Sequence, residues 1–237
     1  MPLLVAVRAA SRGTVEEKGR RAMDSSSWIL PVVIVVALVI TASYFFGRRE
    51  NAALMRVCAA ATEKVLKPLD QSYTWVGGYI GYKAQYKVKD DIIKMVRATL
   101  HLKPRMSLLY YPVARFTMRH DKLYIVFECK RSLPGEGHLI KKGQYRFIPP
   151  GIEHVEQFRK RDVTVGGVEF ELLSLDPRGE KELLHWAEQL RAEDYSRVKH
   201  LSFTSSTNVI YAYIDPGEEL ITAVLRTAPT FAKTIAK

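Results

Sequence analysis

Residues 25–47 carry no charged side chain, and this feature constrains the chain more than any other. Its strongest part runs Trp28-Ile29-Leu30-Pro31-Val32-Val33-Ile34-Val35-Val36-Ala37-Leu38-Val39-Ile40. A helix from Trp28 to Phe46 would rise about 28 Å, close to the roughly 30 Å thickness of bilayer hydrocarbon. Trp28 opens the run and Tyr44, Phe45 and Phe46 close it, as aromatic residues settle at head-group level. Pro31 falls in the first turn, where its missing N–H does little harm. A cleaved signal sequence is the rival reading, but the run is long for one and no small-x-small cleavage site follows. The sequence therefore predicts a single transmembrane helix over residues 25–47.

Orientation rests on flanking charge. Arg48 and Arg49 follow the span, with Arg56, Lys64 and Lys67 close behind, yet Arg8, Arg12, Lys18, Arg20 and Arg21 precede it. The rule that positive flanks stay inside is nearly tied. A start at Met23 would break the tie, because Met23-Asp24-Ser25-Ser26-Ser27 holds no cation. The remainder is then expected in the cytosol, below a prokaryotic cell membrane or the endoplasmic reticulum membrane. Residues 1–24 show no periodicity and read as disordered.

Of the net charge of +11, +9 lies after residue 47. Such a domain attracts polyanions: ribosomal RNA, other nucleic acid or anionic lipid head groups. The clusters expected to face a polyanion or ribosome are Arg48-Arg49, Lys141-Lys142 with Arg146, and Arg159-Lys160-Arg161. A solubilising surface charge accounts for them equally well. Tyr73, Tyr79, Tyr82 and Tyr86 interleave with Lys83, Lys87 and Lys89, a pattern able to stack bases, although no RNP signature accompanies it.

Hydrophobic residues make up 47% of the chain, enough for a packed core. Two cysteines, Cys58 and Cys129, argue against a disulfide framework and exclude a four-cysteine zinc site. None of the HExxH, Walker A, GxGxxG or GxSxG patterns occurs. One partial match stands out: Gly143 to His154 fits much of the second cupin motif, whose histidine binds metal. The first motif's HxH pair is missing, and one histidine would hold a divalent ion weakly. The sequence thus predicts no catalytic residue, no metal, no cofactor and no small-molecule substrate; a cupin-like metal enzyme built on His154 is the minor alternative.

The rest reads as an α+β domain over residues 73–237, joined to the span by a juxtamembrane amphipathic helix within 48–72. That helix places Leu54, Val57, Cys58, Ala61 and Val65 on one stripe. Residues 73–88 read as a strand or hairpin, 89–100 as a helix opened by Asp90-Asp91, and 107–118 and 122–129 as strands. Residues 131–162 read as irregular, and 163–173 as strand-like around a Gly166-Gly167 turn. Asp176-Pro177 starts a helix burying Leu183, Leu184, Ala187 and Leu190. A hairpin follows over 198–203 and 208–214. The last helix, from a capping box at Asp215–Glu218, carries Leu220, Ile221, Val224, Leu225, Ala228, Phe231 and Ala232; Pro229 is a kink candidate. Strand-helix-strand-strand recurs over 79–129 and 165–214, either two βαββ units sharing one sheet or a coincidence of short patterns.

In element order and short strings the chain resembles the calumin family, the coiled-coil-domain-containing proteins of the endoplasmic reticulum that pair with Asterix in the PAT complex. The strings are Arg48-Arg49, Lys87–Val96, Leu123–Phe127, the Pro150-Gly151 turn, Leu183–Trp186, Val198–Phe203, Val209–Tyr213 and the final helix. The acidic lumenal region and the charged helical tail of that family are missing, which suggests a minimal form. What the resemblance implies is a non-enzymatic adaptor or chaperone subunit for multipass membrane proteins. Its partners would be the Sec translocon, the ribosome, a small membrane protein and membrane lipid. A basic tethered module binding anionic lipid or RNA is the alternative.

Overall fold

The computed structural model describes residues 28–236 except 109, 118–119, 146–150, 153, 192 and 194. The expected disordered segment 1–24, the start at Met23 and Arg146 lie outside the described residues. Helix α1 spans Ile29–Leu66 without interruption, 38 residues and about 57 Å. The expected span and juxtamembrane helix are therefore continuous, with no helical break at residue 48. Its first half is apolar (mean hydropathy 2.6 over 18 residues), and none of that 18-residue stretch is buried. It is the one helix long and apolar enough to cross a membrane among the described residues, and it fits a single-pass membrane protein.

The second half of α1 belongs to the domain core. Gly47, Asn51, Met55, Cys58, Ala61 and Thr62 are buried at three- and four-residue spacing. Leu54 and Val65 are partly buried against that core, whereas Val57 faces outward. Lys67, with φ of 42°, ends the helix before Pro68.

Nine strands form one antiparallel sheet: β1 (Asp70–Trp75), β2 (Gly81–Lys87), β3 (Ile93–His101), β4 (Lys122–Cys129), β5 (Glu136–Lys141), β6 (Arg159–Val165), β7 (Val168–Ser174), β8 (Val198–Thr204) and β9 (Val209–Ile214). Their order is β1-β2-β3-β4-β9-β8-β5-β7-β6. α2 (Tyr111–Thr117) precedes β4, α3 (Pro177–Gln189) joins β7 to β8, and α4 (Glu218–Ile235) closes the chain. Helices α1, α3 and α4 pack on one sheet face, α4 lying between the other two. Alternate residues such as Val96, Ala98, Leu100, Leu123, Ile125, Phe127, Ile210 and Ala212 meet them in the core.

Several expectations fail for local physical reasons. Residues 93–101 are the strand β3, not a helix. Asp90 does cap, its Oδ1 accepting from the N–H groups of Ile92 and Ile93 at 2.8 Å, but it opens a strand. A register shift between Ile93 and Met95 breaks the two-residue alternation that Val96, Ala98 and Leu100 otherwise keep. The 107–118 segment contains the short helix α2, with Pro112 in its first turn. The supposedly irregular 131–162 stretch contains β5, hydrogen-bonded between β7 and β8. The 79–129 stretch reads strand, strand, helix, strand, so it does not repeat the strand, helix, strand, strand order of 165–214. No capping box forms at α4: its N-cap is Gly217, and Asp215 instead pairs with Lys199 at 2.9 Å.

Other expectations hold. Asp176 caps α3 through the N–H groups of Arg178 and Gly179. Gly166 and Gly167, both at positive φ, make the β6–β7 turn. All seven residues expected in the α4 stripe are buried, and Pro229 sits within a continuous helix.

Candidate functional site

The predicted basic residues do not converge. Arg48 and Arg49 lie on α1, near the β1–β2 end of the sheet, while Arg159, Lys160 and Arg161 lie on the opposite edge strand. Seven strand spacings separate β2 from β6, roughly 30 Å at about 4.8 Å each. Several are already engaged. Lys142 pairs with Asp162 at 2.8 Å and Glu169 at 3.4 Å, Arg161 with Glu180 at 2.8 Å, and Lys160 with Glu171. Lys141 donates to the Ser196 carbonyl at 2.9 Å. The exposed pairs are weak, each worth about 0–1 kcal/mol, so a polyanion can compete for those lysines.

Where α1 enters the domain, the chain builds a collar. Arg48 donates to the Tyr79 hydroxyl, and its guanidinium lies 4.3 Å from the centre of that ring. Asn51 donates to the carbonyls of Tyr79 and Lys103 at 3.0 and 2.9 Å. Arg105 donates to both Asp121 carboxylate oxygens, at 3.1 and 2.7 Å, and reaches Asn51 Oδ1 and Glu50 Oε1 at 2.9 Å each. A Cβ on Gly47 would stand 2.5 Å from the Arg105 carbonyl carbon. Only glycine lets this loop lie directly on the helix.

The sheet face opposite the helices carries a second polar constellation, which the sequence reading missed. His138 on β5 and His200 on β8 are neighbours, Nδ1 to Nε2 at 3.1 Å. His138 Nε2 contacts Glu136 Oε1 at 2.9 Å, and His200 Nδ1 contacts the Tyr145 hydroxyl at 2.9 Å. Tyr211 stands beside them, its ring edge-on to His200 with centres 5.3 Å apart. One direction satisfies every group: Tyr145 donates to His200, His200 to His138, and His138 to Glu136. Both imidazoles must be neutral for this. Burial pushes His200 down to about 3, His138 adding to the effect, and burial lowers His138 as well. The signal was faint, since the two histidines lie 62 residues apart in the chain and meet only because β5 inserts beside β8.

The sign of the pH effect follows. Unfolded histidine titrates near 6.5, so below that value the unfolded chain binds more protons than the fold and stability drops. His200 alone should remove roughly 2 kcal/mol between pH 7 and pH 5. Denaturation midpoints at the two pH values measure this, and a His200→Gln protein should show a distinctly smaller difference.

His154, the cupin-like candidate, is exposed, adopts φ of 53° and lies 3.6 Å from Glu156. Groups of three or more His, Cys, Asp or Glu side chains able to hold a metal are absent among the described residues. Cys58 and Cys129 are free and buried, and burial pushes their thiols up to about 12 and about 11.

These features define a class: an antiparallel α+β domain fused in one helix to an apolar segment of membrane-spanning length. No protein-family model matches the chain, and no curated protein matches it. Among solved structures, the chain is similar to the crystal structure of the mycobacterial trehalose monomycolate transport factor A, TtfA. Identity is 8%, coverage is 74% of this chain and 93% of that one, and the TM-score is 0.33.

Proposed function

We propose that this protein is a membrane-anchored, non-enzymatic adaptor whose basic domain faces the cytosol and assists the insertion and folding of multipass membrane proteins. The observation that carries the anchored-adaptor part is the unbroken α1. Its apolar half is exposed to whatever surrounds it, and its other half is core. A domain mounted this way has no flexible linker, so its position relative to the bilayer is set by the helix. A platform of that kind suits holding partners at a fixed height above the membrane. The net charge of +9 after residue 47 favours a polyanionic visitor such as a translating ribosome. The translocon, the ribosome and a small membrane-protein partner come from the resemblance to the calumin family.

Two measurements test the proposal. The full-length protein should stay in membranes through alkaline carbonate, and a reporter fused after Lys237 should be cytosolic. Detergent-solubilised protein should then co-sediment with ribosomes or translocon in a salt-sensitive manner. Enrichment no greater than that of an unrelated basic, anchored protein would refute the adaptor role while leaving the anchor intact.

A further inference from the structure

The domain presents apolar side chains to the outside at the end where α1 enters it. Trp75 is 67% exposed, Tyr110 52% and Phe116 84%. Trp75 ends β1, next to the turn that carries Tyr79, and Tyr79 is held by Arg48 one residue past Gly47. Tyr110 and Phe116 belong to the excursion from Arg105 to Asp121, whose two ends are tied together by the Arg105–Asp121 ion pair. Within it, α2 turns Ala114 inward and leaves Pro112, Val113 and Phe116 exposed. A soluble domain has no reason to aim three large aromatics outward at one end.

The height of this excursion can be read from α1. Met106, Ser107 and Leu108 share a cleft with Ile40, Thr41 and Tyr44. Thr41 lies five residues before Phe46, about 7 Å along the helix axis. The loop therefore runs alongside the last turn and a half of the apolar segment, a depth that matches the roughly 5–10 Å reached by interfacial helices. It cannot lift away easily, because its backbone lies on Gly47 and Arg105 is fastened to Glu50 and Asn51.

We propose that Trp75 and the apolar outer face of α2, from Tyr110 to Phe116, sit in the interfacial layer of the bilayer as a second lipid contact beside the spanning helix. This rests on α1 being a membrane anchor. The occupant is phospholipid: the patch is continuous with the anchor's own lipid-facing surface, Trp and Tyr favour the head-group boundary, and exposed Arg49 stands just past the apolar segment to meet phosphates. The contact fixes rotation of the domain about α1, which a single helix alone leaves free. One sheet edge is thereby set relative to the membrane plane.

The test uses the full-length protein in two sets of phospholipid vesicles, one with shallow and one with deep spin-labelled lipid, the deep label reading position 36 near the middle of the span. An environment-sensitive fluorophore is attached in turn to Tyr110→Cys, Phe116→Cys, Val36→Cys and Ser206→Cys proteins. Cys58 and Cys129 are buried and stay unlabelled in the folded protein. Ser206, beyond the Glu128–Val209 pair, is at the other end of β4 from Asp121 and serves as the aqueous reference. Quenching at positions 110 and 116 should exceed that at 206 by about threefold or more, with blue-shifted emission. Positions 110 and 116 behaving like 206, while position 36 is quenched, would overturn the inference and assign the face to a protein partner. Loss of quenching at position 36 as well would overturn it by removing the anchor beneath it.

Discussion

An Arg105→Ala protein should unfold about 10 °C below the parent, reflecting a loss of about 3–5 kcal/mol. The side chains of Arg105 and Asp121 are 16% and 14% exposed, so neither is freely hydrated. Alanine removes both hydrogen bonds to Asp121 and the contacts with Asn51 and Glu50, leaving a largely buried carboxylate with the Lys103 N–H as its partner among the described residues. Breaking a buried pair from one side costs more than the pair contributes, because the surviving charge is stranded. A second change, Asp121→Asn, should therefore recover part of the loss in the Arg105→Ala background while being destabilising alone. Thermal unfolding in detergent micelles, followed by circular dichroism, reads all three variants. Hydrogen exchange should rise first between Lys103 and Asp121, since that loop is fastened to α1 through this residue. Unchanged melting would show that the collar does not hold the loop.

The second large effect is expected from Trp186→Ala, at about 3–5 kcal/mol. Trp186 is 1% exposed and stacks on Phe231 of α4, ring centres 4.7 Å apart. Its Nε1–H donates to Thr227 Oγ1 at 2.9 Å. Phe231 in turn meets Phe203 of β8 edge-on at 5.8 Å. Trp186 thus joins α3 to α4 and, through Phe231, to the sheet, and alanine leaves a cavity between these rigid elements that they cannot fill. Trp186→Phe should restore most of the packing and leave a deficit of about 1 kcal/mol from the missing hydrogen bond. Urea unfolding monitored by circular dichroism separates the two variants. Equal losses would mean that the hydrogen bond, not the volume, dominates.

Much of the helical part was legible because it depends on short-range pattern. The stripe from Leu220 to Ala232 and the Asp176-Pro177 cap need only neighbouring residues to be recognised. The β8–β9 hairpin and the Gly166-Gly167 turn are local for the same reason. β3 was misread because Ile92, Ile93, Val96 and Leu100 fit helical spacing as well as a strand carrying an irregularity, and only pairing with β2 and β4 decides between them. β5 was missed because six residues bounded by glycine carry too little periodicity. The basic clusters were visible as residues, but their separation across the sheet, and their pairing with Glu169, Glu171 and Glu180, were not.

What the sequence alone determined is an uncharged apolar stretch from residue 25 to 47, a basic α+β remainder and an amphipathic last helix, since each follows from composition or a period of a few residues. The tertiary structure decided that α1 runs unbroken into the core, that Arg105 lies on Gly47, and that His138 meets His200. Those outcomes depend on contacts between residues tens of positions apart, whose closure is set by strand order and packing. No local preference encodes them.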